Sequence, residues 1–130
     1  MRYCENRTKD LKTNELIGRA LAYAVGIAEG YKVEYWHTKS VAILSAGIPR
    51  GVPWNPHVDW SQGGPIIERE GISLEVTCMS AGFEWVAKID LNEGDVMVEE
   101  KFGPTPLIAA MRCYVASKLG DEVEIPEELL

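Results

Sequence analysis

From Thr13 to Glu29 the apolar residues Leu16, Ala20, Leu21, Ala24, Val25 and Ala28 recur three or four positions apart. That period lines one side of an α-helix. Thr13 is placed to cap its start, and Gly30 to end it in the left-handed conformation. Gly18, Ala22 and Gly26 make a second row four apart. A helical glycine costs about 1 kcal/mol against alanine, so this row predicts a neighbour packed unusually close. Near the other end, "GPTPLIAAMRCYVASKLGD" predicts a second helix, with Thr105 as N-cap, Pro106 at the first helical position and Gly120 as the stop. Leu107, Ala110, Met111, Tyr114, Val115 and Lys118 share a face, and the small Ala109-Ala110 pair predicts that the two helices touch.

Between the helices the period changes from 3.6 to 2. In Ile72 to Cys78, the residues Ile72, Leu74 and Val76 alternate with Ser73, Glu75 and Thr77. Phe83, Trp85, Ala87 and Ile89 repeat the alternation, and Ser80-Ala81-Gly82 is short enough for a hairpin. A turn at Leu91 to Asp95 precedes a third strand, Val96 to Phe102, while Tyr31 to Trp36 and Val41 to Ser45 are shorter β-rich runs. The expected fold is α+β: an antiparallel sheet of about four to five strands, with an N-terminal and a C-terminal helix packed on one face.

One segment fits neither period. Gly47, Pro49, Gly51, Pro53, Pro56, Gly63, Gly64 and Pro65 punctuate it, which predicts a long irregular loop over 46–65. Loops of that length in compact domains are usually functional or disordered. Ordering each residue costs roughly 1–2 kcal/mol, whereas burying Trp54 and Trp60 returns about 3 kcal/mol apiece. Turn hydrogen bonds, proline restrictions, a ligand or a partner must supply the difference.

Composition narrows the function classes. The 130 residues fit a single domain, with 46% hydrophobic and 25% charged residues. A net charge of −7 opposes phosphate backbones, so no nucleic acid is expected as a partner. Asp121, Glu122, Glu124, Glu127 and Glu128 crowd the last ten positions, so 121–130 reads as an acidic, flexible tail. Cys4, Cys78 and Cys113 match neither a disulfide framework nor a zinc spacing, and Cys78 and Cys113 read as small buried thiols. No metal, cofactor, membrane span or signal peptide is expected, and the expected location is the cytosol.

The candidate chemistry gathers in the irregular segment. Trp54, His57, Asp59, Trp60 and Gln62 offer stacking surfaces, a ring nitrogen, a carboxylate and an amide, a set suited to recognising a small molecule or a protein surface. Gly63, Gly64 and Pro65 permit a tight turn or an anion-holding nest. Glu68, with Asp59 and Glu70, supplies carboxylates whose convergence no spacing demonstrates. Arg112 sits on the flank of an apolar run, where a guanidinium needs carbonyls or a carboxylate; the expected partner is Asp59, Glu68 or Glu70, pinning the loop to the second helix.

"KTNELIGRALAYAVGIAEG", "WSQGGPIIEREGISLE" and "TPLIAAMRCYVASKLGDEVEIPEEL" together resemble the NinX-like family of small proteins from tailed phages and bacterial prophages. The resemblance runs along nearly the whole chain. It implies a phage accessory protein, located in the cytoplasm of the host bacterial cell, and assigns no catalytic residue here. The reading that follows is a non-enzymatic binding module engaging a host protein or a small metabolite through the Trp60 loop. A small hydrolase or nucleotide-processing enzyme using Asp59, Glu68 and His57 is the alternative, and an acidic mimic of nucleic acid a third. The glycine row also admits a homodimer.

Overall fold

The computed structural model describes residues 7–35, 41–44, 52–79, 82–90 and 98–130, and within them the chain forms three α-helices and eight strands, all paired antiparallel. Cys4, His37, the first part of the expected loop at 46–51, and the turns expected at 80–81 and 91–95 lie outside those residues.

Helix α3 (Pro106–Leu119) starts and stops where its sequence demands. The Thr105 hydroxyl accepts from the Ile108 N–H at 3.1 Å, Pro106 opens the first turn, and Gly120 ends it at φ +95°. Nine of its residues are buried, on every side of the helix. Such burial needs neighbours all round. On one side lie β6 (Gly82–Asp90) and β7 (Val98–Gly103), and on the other lies α1 (Gly18–Ala28). The two helices touch, as expected, but α3 stands between α1 and the sheet, where the sequence suggested that both would lie on one sheet face.

Helix α1 buries Ala20, Leu21, Ala24 and Val25, and ends on Gly30 at φ +81°. The Tyr31 N–H reaches the Gly26 carbonyl and the Gly30 N–H the Ile27 carbonyl, both at 3.0 Å, closing a Schellman turn. The start departs from expectation. Thr13 is no cap; it is buried in a 3₁₀ turn, its hydroxyl donating to Gly120 O at 2.7 Å and its N–H to Asp121 O at 2.8 Å. Gly18 opens the helix at φ +60° and is there for its backbone, not for packing. Gly26 is the packing glycine. A Cβ on it would stand 2.6 Å from Val33 Cγ2 and 3.3 Å from Trp54 Nε1, so its close neighbours are β2 (Lys32–Tyr35) and Trp54, not α3.

The hairpin of β5 (Ser73–Met79) and β6 sets Leu74 opposite Ala87, Val76 opposite Trp85 and Cys78 opposite Phe83, and β7 pairs along the other side of β6. The apolar face is dry only under α3. Ala87 and Ile89 are buried there, whereas Val76 and Phe83 at the far end are 52% and 75% exposed. Cys78 is exposed too, against the expectation of a buried thiol; Cys113 is buried, and burial pushes its thiol up to about 12.

Three small sheets replace the single one expected. Besides β5-β6-β7 there is β2 with β3 (Val41–Leu44) and β4 (Val52–Pro53), and a pair made from the two ends of the chain, β1 (Thr8–Lys12) with β8 (Glu122–Pro126). The acidic segment is thus not a flexible tail. Val123 and Ile125 alternate inward with Glu122 and Glu124 outward, and Leu129 in the closing 3₁₀ turn is 2% exposed. The expected loop of 46–65 is also cut short, because residues from Trp60 onward form helix α2 (Trp60–Glu70).

Candidate functional site

Four local devices make a helix out of "WSQGGPIIERE". Asp59 is the N-cap, its carboxylate accepting from the Ser61 N–H at 2.9 Å and the Ser61 hydroxyl at 2.6 Å. Gln62 reaches back to the preceding turn: its carbonyl accepts from the Asn55 N–H at 2.6 Å and its amide donates to the Pro53 carbonyl at 2.7 Å. Gly63 lets that turn lie directly against the helix, since a Cβ there would come within 2.4 Å of the Pro56 carbonyl oxygen and 2.7 Å of Leu107 on α3. Gly71, left-handed at φ 65°, closes the helix. Pro65 sits in the second turn, where it lacks the N–H that would bond back to Ser61. The sequence read Gly-Gly-Pro as a breaker; the contacts to Pro56 and Leu107 and the two caps outweigh the poor intrinsic propensity.

These devices divide the candidate residues into two sets. Trp54 faces inward, 5% exposed, edge-on to Tyr31 with centroids 5.4 Å apart, and its Nε1 has no hydrogen-bond partner among the described residues. Asp59, Gln62 and Gly63 hold the segment together. Trp60 faces outward, 53% exposed, its ring edge lying over Gly64, and Pro65 and Glu68 continue the exposed side of α2. Val58, just ahead of the cap, is 65% exposed. His57 is half-buried, burial pushes its pKa down, so it is neutral at pH 7, and its Nδ1 has no partner among the described residues. No hydrogen bond or ion pair joins His57, Asp59 and Glu68 among the described residues.

Arg112 does not belong with them. Its Nε donates to the Leu16 carbonyl and its Nη1 to the Phe102 carbonyl, both at 2.8 Å, so carbonyls satisfy it instead of Asp59, Glu68 or Glu70. Burial lowers its pKa, and the carboxylate that counters this is Glu84 of β6. The geometry was available from the helix alone. Five residues at about 100° each turn Arg112 about 140° away from Leu107, the α3 residue that meets α2. Arg112 ties the start of α1 and the end of β7 to α3; it does not pin the loop.

Arg69, which sequence reasoning missed, joins α2 to α3, with the Lys118–Glu70 pair at 3.5 Å beside it. It donates to the Glu29 carboxylate at 2.5 and 3.2 Å and to the Tyr114 hydroxyl at 3.2 Å, while its guanidinium carbon lies 5.7 Å from the Tyr114 ring centre. Tyr114 also donates to Glu29. Burial pushes the Glu29 carboxyl up, but the bonds from Arg69, Tyr114 and Tyr31 outweigh it and hold the group below its ordinary value of 4.5. Burial and the Glu29 bond raise Tyr114 well above an ordinary phenol. A phenol so raised is a donor, not a nucleophile, and the cluster is a clasp that ties the ends of α1 and α2 to the middle of α3. The only sequence signal for it was a tyrosine, Tyr114, among the apolar residues of α3.

The family model described as "Bacteriophage P22, NinX" matches residues 12–118. The chain belongs to this family. The NinX match takes in α1, α2, α3 and the clasp between them, and with them the whole outward side of α2; β8 lies beyond it. Membership makes this a phage accessory protein. No curated protein matches the chain. No helix among the described residues is long and apolar enough to cross a membrane.

Proposed function

We propose that this phage accessory protein acts without catalysis, as a binding module that engages a host protein through the outward side of α2. The observation that carries the reading is the contrast in one short segment: Trp60 is half exposed while its backbone is held by the Asp59 cap and the Gln62 bonds. A large aromatic held out on a rigid support loses little entropy on binding, and such residues carry most of the energy of protein interfaces. Val58 and Trp60 leave an exposed apolar patch at the start of α2, with Glu68 about two turns further along the helix. Phe83 is more exposed, but no comparable clamp supports it among the described residues. A host protein suits an outward-facing helix side better than a small metabolite, which needs to be enclosed.

The test is capture from a lysate of the bacterial host with wild-type protein and with a Val58→Ser, Trp60→Ser double variant, followed by titration of any captured protein. The variant is expected to melt as wild type and to bind the partner at least ~30-fold more weakly, the loss of about 2 kcal/mol that defines an anchor residue. Equal capture and equal affinity by both proteins would end the proposal.

A further inference from the structure

The two outer edges of the β5-β6-β7 sheet are finished differently. Strand β7 carries Glu99, Glu100 and Lys101 in a row, with Lys101 paired to Glu99 at 3.1 Å and Lys88 of β6 reaching Glu100 at 3.6 Å. Charges along an edge discourage a further strand from pairing there. Strand β5, at the other edge, reads "SLEVTCM": seven residues with one charge, Glu75, and neither lysine nor proline. Its register with β6 steps evenly from Ser73–Lys88 to Met79–Gly82, so no bulge turns this edge away. Among the described residues no strand pairs with its outer side. The apolar face is bare at the same place. Helix α3 lies over β6 and β7 and reaches β5 only slightly, which leaves Val76, Cys78 and Phe83 exposed and Trp85, opposite Val76, half-buried. Unpaired backbone and uncovered apolar side chains thus coincide at one edge.

We infer that β5 pairs antiparallel with β5 of a second copy about a two-fold axis through Val76, joining two three-stranded sheets into one. The strand's own sequence selects this partner and this register. A two-fold axis across an antiparallel pair keeps both apolar faces on one side of the joined sheet, and the register centred on Val76 is the one that pairs all seven residues. Val76 then faces Val76, Leu74 faces Cys78 of the second copy, and Glu75 faces Thr77, so no like charges meet. Centring one residue earlier sets Glu75 against itself. The axis also places the uncovered end of each hairpin, with Cys78 and Phe83, beside the end of the other where Leu74 packs on the core. A lone extended peptide satisfies the edge but brings nothing toward Phe83, which stands one strand further in. An edge of seven residues is about 23 Å long and buries less than a standard interface, so the dimer is weak. The net charge of −7 on each copy opposes it, so salt strengthens it. The surface shares no residue with the outward side of α2, and the two readings stand or fall independently.

The experiment is analytical ultracentrifugation of the full chain from about 10 µM to about 1 mM, with amide hydrogen exchange measured at both concentrations. A monomer–dimer equilibrium with a Kd of about 10–300 µM is expected, tightening as salt rises. Exchange should slow in β5 in the concentrated sample and stay unchanged in β7. Val76→Lys is expected to weaken the dimer at least ~10-fold, since it removes apolar contact and sets two cations together on the axis. The Val58→Ser, Trp60→Ser variant is expected to dimerise as wild type. Oxidised with diamide, Val76→Cys in a Cys78→Ser background is expected to form a disulfide dimer mapped to residue 76 by mass spectrometry; wild-type Cys78, facing Leu74, is expected to form none. A chain still monomeric at about 1 mM, a dimer that Val76→Lys leaves intact, or a dimer lost with the Trp60 variant would overturn the inference. Protection of β5 gained only on adding host lysate would assign the edge to a foreign strand and overturn it too. Should Val76→Lys fail to fold, the exchange comparison on wild type and the cross-link still decide.

Discussion

Helices α2 and α3 lie against each other and hold for opposite reasons. Helix α3 is 14 residues, most of them good helix formers such as Leu107, Ala109, Ala110 and Met111, between the Thr105 cap and a glycine stop, with nine residues buried. Helix α2 is 11 residues with two glycines and an internal proline, and only Gly63 and Ile66 are buried. One is held by its own composition and by burial on all sides. The other is held by what reaches it from outside its own turns: the Asp59 cap, the Gln62 bonds, the Pro56 carbonyl seated on Gly63, and the Arg69 clasp. A helix held in the second way leaves its outer side free to carry exposed residues, and that is where Trp60 stands.

Substitutions can break this comparison or sharpen it. The largest effect belongs to α3: Met111 is fully buried, so Met111→Ala is expected to cost about 2–5 kcal/mol and to lower the melting temperature of the whole protein. Gly63→Ala comes next, at about 1–3 kcal/mol, because the obstacle is the Pro56 backbone, which cannot rotate away. Its signature is local, with hydrogen exchange over 54–71 accelerating more than exchange in α3. A melting curve for Gly63→Ala no different from wild type would mean that α2 does not depend on the turn beneath it.

The clasp gives a smaller effect with a pH signature. Glu29 binds its proton less tightly in the folded protein than in the unfolded chain, so its stabilisation is complete above the ordinary value of 4.5 and is lost as pH falls through the lower folded value. Glu29→Gln is expected to cost about 1 kcal/mol at pH 7, a figure held down by the half-exposed Arg69. The difference between variant and wild type should shrink steadily in denaturant melts taken below about pH 4.5. A difference constant from pH 7 to pH 3 would remove the charge from the account. Smallest, and opposite in sign, is Gly64→Ala. A Cβ at Gly64 meets nothing closer than the Trp60 ring at 3.9 Å, so the alanine is expected to stabilise α2 by up to about 1 kcal/mol. Adjacent glycines with opposite responses would show that one is required by packing and the other is not.

Much of the architecture could be read before any coordinates. The caps and breadth of α3, the end of α1 at Gly30, and the β5–β6 hairpin all follow from side-chain period and from residues that act within four or five positions of themselves. What escaped was long-range. The acids at the end of the chain concealed Val123 and Ile125, whose partners on β1 are more than a hundred residues away. Gly63, Gly64 and Pro65 read as loop because the Pro56 contact that makes a helix of them is tertiary. Of the candidate residues, those from Trp54 to Glu68 divide between an inward and an outward set, while Arg112 was directed at the wrong partners because an apolar run does not say which of its flanks faces which neighbour.

By itself, then, the sequence determined the α+β class, the two terminal helices and the segment in which the richest side chains stand. These are properties of period, local capping and composition, which act over one or two turns of chain. Only the tertiary structure decided that Trp54 turns in and Trp60 turns out, that Arg112 bonds to carbonyls and Arg69 to Glu29, and that α3 lies between α1 and the sheet. Each of those depends on which surfaces are pressed together, and burial and hydrogen-bond satisfaction act on neighbours in space, whatever their distance along the chain.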